Sequence, residues 1–162
     1  MTPLFCFVFF VCAEFAARIE RMKKIISTSD APAALGPYSQ AVRVGSTIYC
    51  AGQVPLDPKS GQIVSGGIDA QTRRVLENIT AVLKAEGLTF ANIVKTTIFL
   101  TDLADFQTMN EIYGSYFQQQ PPARSTVQVS ALPKGAKIEI EVIAVADEDD
   151  RSGGKTASDT SG

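Results

Sequence analysis

The chain has 162 residues, 45% of them hydrophobic and 20% charged, with a formal net charge of −2; this describes one globular domain with material for a real core and no electrostatic footprint for nucleic acid. It contains no histidine, which excludes Ser-His-Asp and Cys-His nucleophile pairs, zincin sites and most zinc or non-haem iron sites. Cys6, Cys12 and Cys50 have neither metal-ligand spacing nor a disulfide pattern, so acid–base chemistry falls to carboxylates, Tyr, Lys, Cys50 or ordered water, and no metal is expected.

Residues 1–21 differ from the rest. Leu4 to Cys12 is an apolar run too short to span a bilayer. Val11-Cys12-Ala13 would suit a signal peptidase, but no Lys or Arg precedes the run. An organelle-targeting extension or an early start fits better than secretion. Lys23 to Thr28 then reads as a strand and Ser29 to Pro32 as a loop. Gly36-Pro37-Tyr38-Ser39-Gln40 is a turn signal carrying an aromatic with a polar tip. Ala41 to Val44 and Thr47 to Val54 form a predicted hairpin around Gly45-Ser46. Cys50 is read as a small buried hydrophobe. Gly52 allows a ligand close to the backbone, or marks a bulge or strand exit.

Asp57 to Gly61 and Gly66-Gly67 are turns. A helix is predicted from Ile68 to Glu86, with Ile68, Thr72, Val75, Ile79, Val82 and Leu83 as its buried stripe and Gly87 as its stop. The sequon Asn78-Ile79-Thr80 lies inside that helix and reads as chance. Ile93 to Leu100 is a strand. A second helix opens at Asp102 to Asp105 and runs to Phe117; Phe106, Met109, Tyr113 and Phe117 share a face of the kind that usually packs in a core, with Asn110 beside it.

The last third carries the chemistry. Pro122 to Val129 alternates, with Arg124, Thr126 and Gln128 on one face. The turn Leu132-Pro133-Lys134-Gly135 follows, then a strand with Ile138, Ile140, Val142 and Ala144 apolar on one face and Lys137, Glu139 and Glu141 opposite. An Arg offers a planar fork of donors that matches a carboxylate. A Glu among apolar neighbours can titrate near neutrality. Together they suit a small carboxylic acid held by its carboxylate while a proton or water moves nearby, although a salt bridge or a solvated sheet face accounts for the same pattern. Residues 147–162 are acidic, then rich in Ser, Gly and Thr, and read as a disordered tail. Gly154-Lys155-Thr156 lacks the earlier Gly and the preceding strand of a P-loop.

The runs Pro122-Ala123-Arg124-Ser125 and Lys137-Ile138-Glu139-Ile140-Glu141, with Gly36-Pro37-Tyr38-Ser39-Gln40, closely resemble the RidA (YjgF-like) family over residues 22–146. Met22-Lys23-Lys24-Ile25-Ile26 is how such members commonly begin. The resemblance implies an α+β, chorismate-mutase-like mixed sheet with two helices on one face and the last strand among the central ones. It implies a homotrimer with a pocket at each subunit interface, and hydrolysis of 2-imino acids such as 2-iminobutanoate and 2-iminopropanoate to 2-keto acids and ammonia. Arg124 would hold the substrate carboxylate and Glu139 the hydrolytic water. Gly52 and Thr126 would contact the imino end through their backbone, and Tyr38 and Asn110 would shape the pocket. The family usually has Ser where Ala51 stands and often Cys where Thr126 stands, so a thiol nucleophile does not apply here. An imine is already electrophilic, so no cofactor is expected; nor is a membrane or nucleic-acid partner. A cytoplasmic setting is expected. The competing readings are an RNA-directed ribonuclease or translation inhibitor, which the charge and the missing His disfavour, and a non-catalytic ligand-binding or chaperone-like trimer.

Overall fold

The computed structural model describes residues 23–146; the expectations for residues 1–21 and 147–162 lie outside them. Six strands form one sheet: β1 (Lys23–Ile26), β2 (Ala41–Val44), β3 (Thr47–Gln53), β4 (Ile93–Leu100), β5 (Ala123–Gln128) and β6 (Ile138–Val145). Two helices, α1 (Ile68–Lys84) and α2 (Phe106–Tyr116), cover one face. The strand order is β1-β2-β3-β6-β4-β5. All neighbours are antiparallel except β4 and β5. The hairpin that sequence order alone would make of β5 and β6 does not form. Their connection, a 3-10 turn at Pro133–Gly135 with Lys134 at φ 55°, instead carries the chain from the sheet edge to its centre.

The centre suits β6. Ile138, Ile140, Val142 and Ala144 are all buried under the helices, which is the period-two pattern written in the sequence. Val75, Leu76, Ile79, Val82 and Leu83 of α1 and Met109 and Ile112 of α2 close the core over them. Gly87 takes φ +72° just past the end of α1, a left-handed conformation that ends a helix at little cost for glycine. Asn78 is buried and donates to the Val54 and Leu56 carbonyls at 3.2 and 2.9 Å, so the sequon is a pin for the loop after β3. The other face of the sheet is open, with Tyr49 50% and Val127 43% exposed. Among the described residues, no helix is long and apolar enough to cross a membrane.

Glu86 clasps the sheet edge to the helix end. Its side chain is 4% exposed and pairs with Lys24 of β1 at 2.8 Å and Arg43 of β2 at 3.1 Å. Burial pushes its carboxyl upward, but the hydrogen bonds and charges of Lys24 and Arg43 outweigh burial and hold it below its ordinary range. A depressed carboxyl contributes stability that is present above the unfolded value and lost as pH falls through the folded one. Glu86→Gln should therefore cost about 1.5–3 kcal/mol at neutral pH, the range for hydrogen bonds to charged groups. The deficit relative to wild type should shrink as denaturation is repeated at pH values descending below the carboxylate range; a deficit independent of pH would refute the assignment.

Candidate active site

Two concave regions receive the predicted site residues, and they lie on different faces of the sheet. Thr96 of β4 pairs with Arg124 on one side and with Val142 on the other; Phe99 pairs with Val127 and Glu139. Laterally paired residues share a face. Thr96 and Val142 are buried beneath the helices. Arg124 therefore belongs to the helix face, and Glu139 to the open face. A single chain brings Arg124 and Asn110 together, with Thr126 on the same face, and separately Glu139, Tyr38, Ala51 and Gly52, but it does not bring the first set to the second.

The Arg124 region is a cavity of about 460 Å³ bordered by α2 and the segment before β5, including Asn110, Tyr113, Phe117 and Pro122. Arg124 Nη1 donates to Asn110 Oδ1 at 2.8 Å. Its guanidinium lies 4.8 Å from the ring centroid of Tyr113 and 5.7 Å from that of Phe106, distances at which a cation is attracted to an aromatic face. Tyr113 is itself fixed by a 2.9 Å hydrogen bond between its phenol and the Thr96 hydroxyl. Burial, only partly offset by that bond and by Arg124, raises the phenol above its ordinary range and keeps it neutral. The stripe of Phe106 and Tyr113 thus does two jobs, closing the core and cradling a cation. Among the described residues, no carboxylate pairs with Arg124. On the same face, two residues along, the Thr126 hydroxyl is buried with no hydrogen-bond partner. A guanidinium fork without a carboxylate partner, open to that cavity, suits an anionic, oxygen-rich ligand.

The Glu139 region is a cavity of about 400 Å³ on the open face, walled by Leu35, Tyr38, Ala51, Gly52, Val54 and Pro133. It owes its shape to a bulge. Between Cys50 and Gln53 the register of β3 against β6 shifts, since Cys50 pairs with Val142 and Gln53 with Ile140. Ala51 and Gly52 therefore oppose the single residue Glu141, and the strand bends. Gly52 lies in the bulge, one of the two readings foreseen for it, and the group that approaches its backbone here is the Glu139 side chain. A Cβ built on Gly52 would fall on the Glu139 carboxylate, 2.7 Å from its Cδ. Burial, with a smaller contribution from the Glu141 charge, raises the Glu139 carboxyl above its ordinary range. Tyr38 is 52% exposed, and its phenol oxygen accepts from the Leu35 N–H at 3.1 Å. Cys50 is buried, and burial pushes its thiol up to about 12, so it stays protonated and inert. Sequence reasoning missed Phe106 and Tyr113 as the Arg124 cradle; their spacing on α2 was visible, but not the strand they face.

Residues 28–146 match the family model described as Endoribonuclease L-PSP. Over 124 residues the chain is 56% identical to the 2-iminobutanoate/2-iminopropanoate deaminase of Mus musculus and 53% to that of Homo sapiens, covering 76% of this chain and 92% and 90% of theirs. Among solved structures, a putative endoribonuclease of Thermotoga maritima superposes with a TM-score of 0.76 at 48% identity, covering 78% of this chain and 99% of that one. E. coli TdcF, solved with bound serine, superposes with a TM-score of 0.73 at 47% identity, covering 76% and 99%. With six strands in this order, two helices on one face and a match over residues 28–146, the chain belongs to the Endoribonuclease L-PSP (YjgF/RidA) family.

Proposed function

We propose that this chain is a 2-iminobutanoate/2-iminopropanoate deaminase acting as a homotrimer, with each site shared between two subunits. The observation that carries the shared site is the separation of Arg124 from Glu139 on opposite faces of one sheet. Neither region suffices alone. One has an anion anchor without a base; the other has a base in an apolar wall without an anchor. A neighbouring subunit that docks its β5 edge on the open face brings the two together and covers Tyr49 and Val127. The proposed compartment is the cytoplasm, which accords with the free, buried Cys50 thiol.

In the completed site the Arg124 fork takes the substrate carboxylate bidentately, and Asn110 and the two rings keep the fork aimed. Thr126, whose hydroxyl is buried, contributes through its backbone at the imino end of the substrate. Glu139 of the other subunit takes a proton from water as the water oxygen bonds to the imine carbon and the C=N electron pair moves to nitrogen, and it delivers that proton to the nitrogen. The resulting carbinolamine then loses its C–N bond. The hydroxyl proton passes by way of Glu139 to the departing nitrogen, giving ammonia and the 2-keto acid. Gly52 leaves the Glu139 carboxylate room against the backbone, and Tyr38 and Leu35 limit bulk water around it.

The experiment is subunit complementation. Imines are generated in situ from threonine or serine by a dehydratase, and ammonia release is measured. Wild type should release ammonia, and Arg124→Ala and Glu139→Gln should each lack the activity. Refolded together in equal amounts, the two inactive proteins should recover about a quarter of wild-type activity, because random assortment gives that share of interfaces both intact residues. No recovery in verified mixed trimers would overturn the shared site. No ammonia from the wild type would overturn the reaction itself.

A further inference from the structure

Gln40 stands outside the two cavities just described as an acid–base or anchoring group, yet it is tied to both walls of the Glu139 cavity. It is a polar side chain only 4% exposed, at the end of the connection from β1 to β2. Its Oε1 accepts from the Thr28 N–H at 2.6 Å, and its Nε2 faces the carbonyls of Thr28, Ala31 and Pro32 at 3.0, 3.2 and 2.7 Å. No strand or helix pairs the backbone of residues 28–32, and buried backbone groups without partners are costly. One amide supplies what a ladder would. Its main-chain carbonyl also accepts from the Ala51 N–H at 2.9 Å, at the bulge that sets Gly52 under Glu139.

Beyond the residues Gln40 holds, the chain rises to Leu35 and Tyr38, which are 60% and 52% exposed. Their own fixings are local: Leu35 N–H to the Tyr38 phenol oxygen, and Tyr38 N–H to the Gly36 carbonyl at 2.8 Å. Such a lip keeps its internal shape but has little of its own to set its height over the sheet. The anchor at its base is the Gln40 amide.

We propose that Gln40 is a positioning residue for the catalytic half-site: it fixes the Leu35–Tyr38 lip relative to Gly52 and Glu139, acting through the loop and touching no substrate. The proposal builds on the deaminase reading, but its structural arm does not depend on that reading. Gln40→Met keeps length and volume while removing all four side-chain hydrogen bonds; Gln40→Glu keeps the acceptor for Thr28 N–H and loses the amide donors. The chain has four tyrosines, so 3-fluorotyrosine labelling gives four fluorine resonances, with Tyr38 assigned through Tyr38→Phe. In Gln40→Met the Tyr38 resonance should shift or broaden while Tyr113 and Tyr116 stay in place. On imines, kcat should fall by about 10-fold or more, within the range that follows from misplacing reacting groups. Affinity for a 2-keto acid, measured by calorimetry and carried mainly by Arg124, should change less than about threefold. Gln40→Glu, which sets a carboxylate oxygen against the Thr28, Ala31 and Pro32 carbonyls, should show the same effects at least as strongly. An unmoved Tyr38 resonance in a folded Gln40→Met protein overturns the proposal. So does a common disturbance of all four tyrosines, or failure of both variants to fold, since Gln40 would then be a general structural residue. If the wild type has no turnover, the deaminase reading fails, and the Tyr38 resonance still decides whether Gln40 positions the lip.

Discussion

Arg124→Ala should abolish turnover of 2-imino acids and leave a folded protein. The guanidinium carries a charge with no carboxylate partner among the described residues, so the fold gains little from it beyond one hydrogen bond to Asn110 and its stacking on Tyr113 and Phe106. The change in stability should stay within about 1 kcal/mol, the worth of an exposed polar contact. The loss to the ligand is larger. Truncating one partner of a buried, hydrogen-bonded charge pair costs about 2–5 kcal/mol, or roughly thirtyfold to several thousandfold in affinity. Calorimetry with a stable 2-keto acid reads the affinity, and ammonia release reads the rate. Arg124→Lys should fail nearly as badly. A lysine ammonium cannot donate to Asn110, stack flat on Tyr113 and present a parallel pair of N–H groups to a carboxylate at once. A folded Arg124→Ala trimer that hydrolyses imines at the wild-type rate would sink the anchor.

Gly52→Ala should cost about as much turnover as removing the Glu139 carboxylate, roughly 10²–10⁴-fold, though it adds one methyl group and deletes nothing. That methyl would occupy the space of the carboxylate, and the carboxylate is the mobile partner, so it is the carboxylate that moves. Affinity for a 2-keto acid should survive, because the carboxylate anchor, the Arg124 fork of the neighbouring subunit, is left intact. The decisive measurement is a double-mutant cycle. If Gly52 acts only by giving Glu139 room, Gly52→Ala adds nothing further in a Glu139→Gln background. Fully additive losses would mean that Gly52 serves the substrate directly, through its backbone, and that clearance is not its role.

Within single elements, much of this was legible. The alternation in Ile138 to Ala144 marked the buried face of a strand, and Gly87 marked a helix stop. Arg124 and Glu139 stood out as charges on strands that otherwise read as core. Their relation to each other was not legible. Period two fixes which residues of one strand share a face, but the phase between two strands depends on register, and register depends on neighbours remote in sequence. The Pro133-Lys134-Gly135 turn shows the same limit: its residues reverse the chain equally well into a hairpin or into a crossing to the sheet centre. Gly52 could be read as a bulge or as a place where a ligand nears the backbone; it lies in the bulge, and the group near it is the Glu139 side chain. Gln40 was visible only as the end of the Gly36–Gln40 run and its role was not, because a buried amide that replaces a hydrogen-bond ladder has no periodicity.

The place of β6 has a consequence for synthesis of the chain. It is the last strand of the sheet to be made, and it sits between β3 and β4. Until Ile138–Val145 emerges, the nascent chain can form β1-β2-β3 and β4-β5 only as separate ladders, each with an open inner edge and an uncovered apolar side. Those edges are templates for pairing with other chains. Closing them requires contacts between residues far apart in sequence, such as Thr47 with Val145, and contacts of that kind form slowly. The sheet is therefore completed only once β6 has been made, and its exposure to chaperones and to misassembly is concentrated in the interval before that one strand arrives.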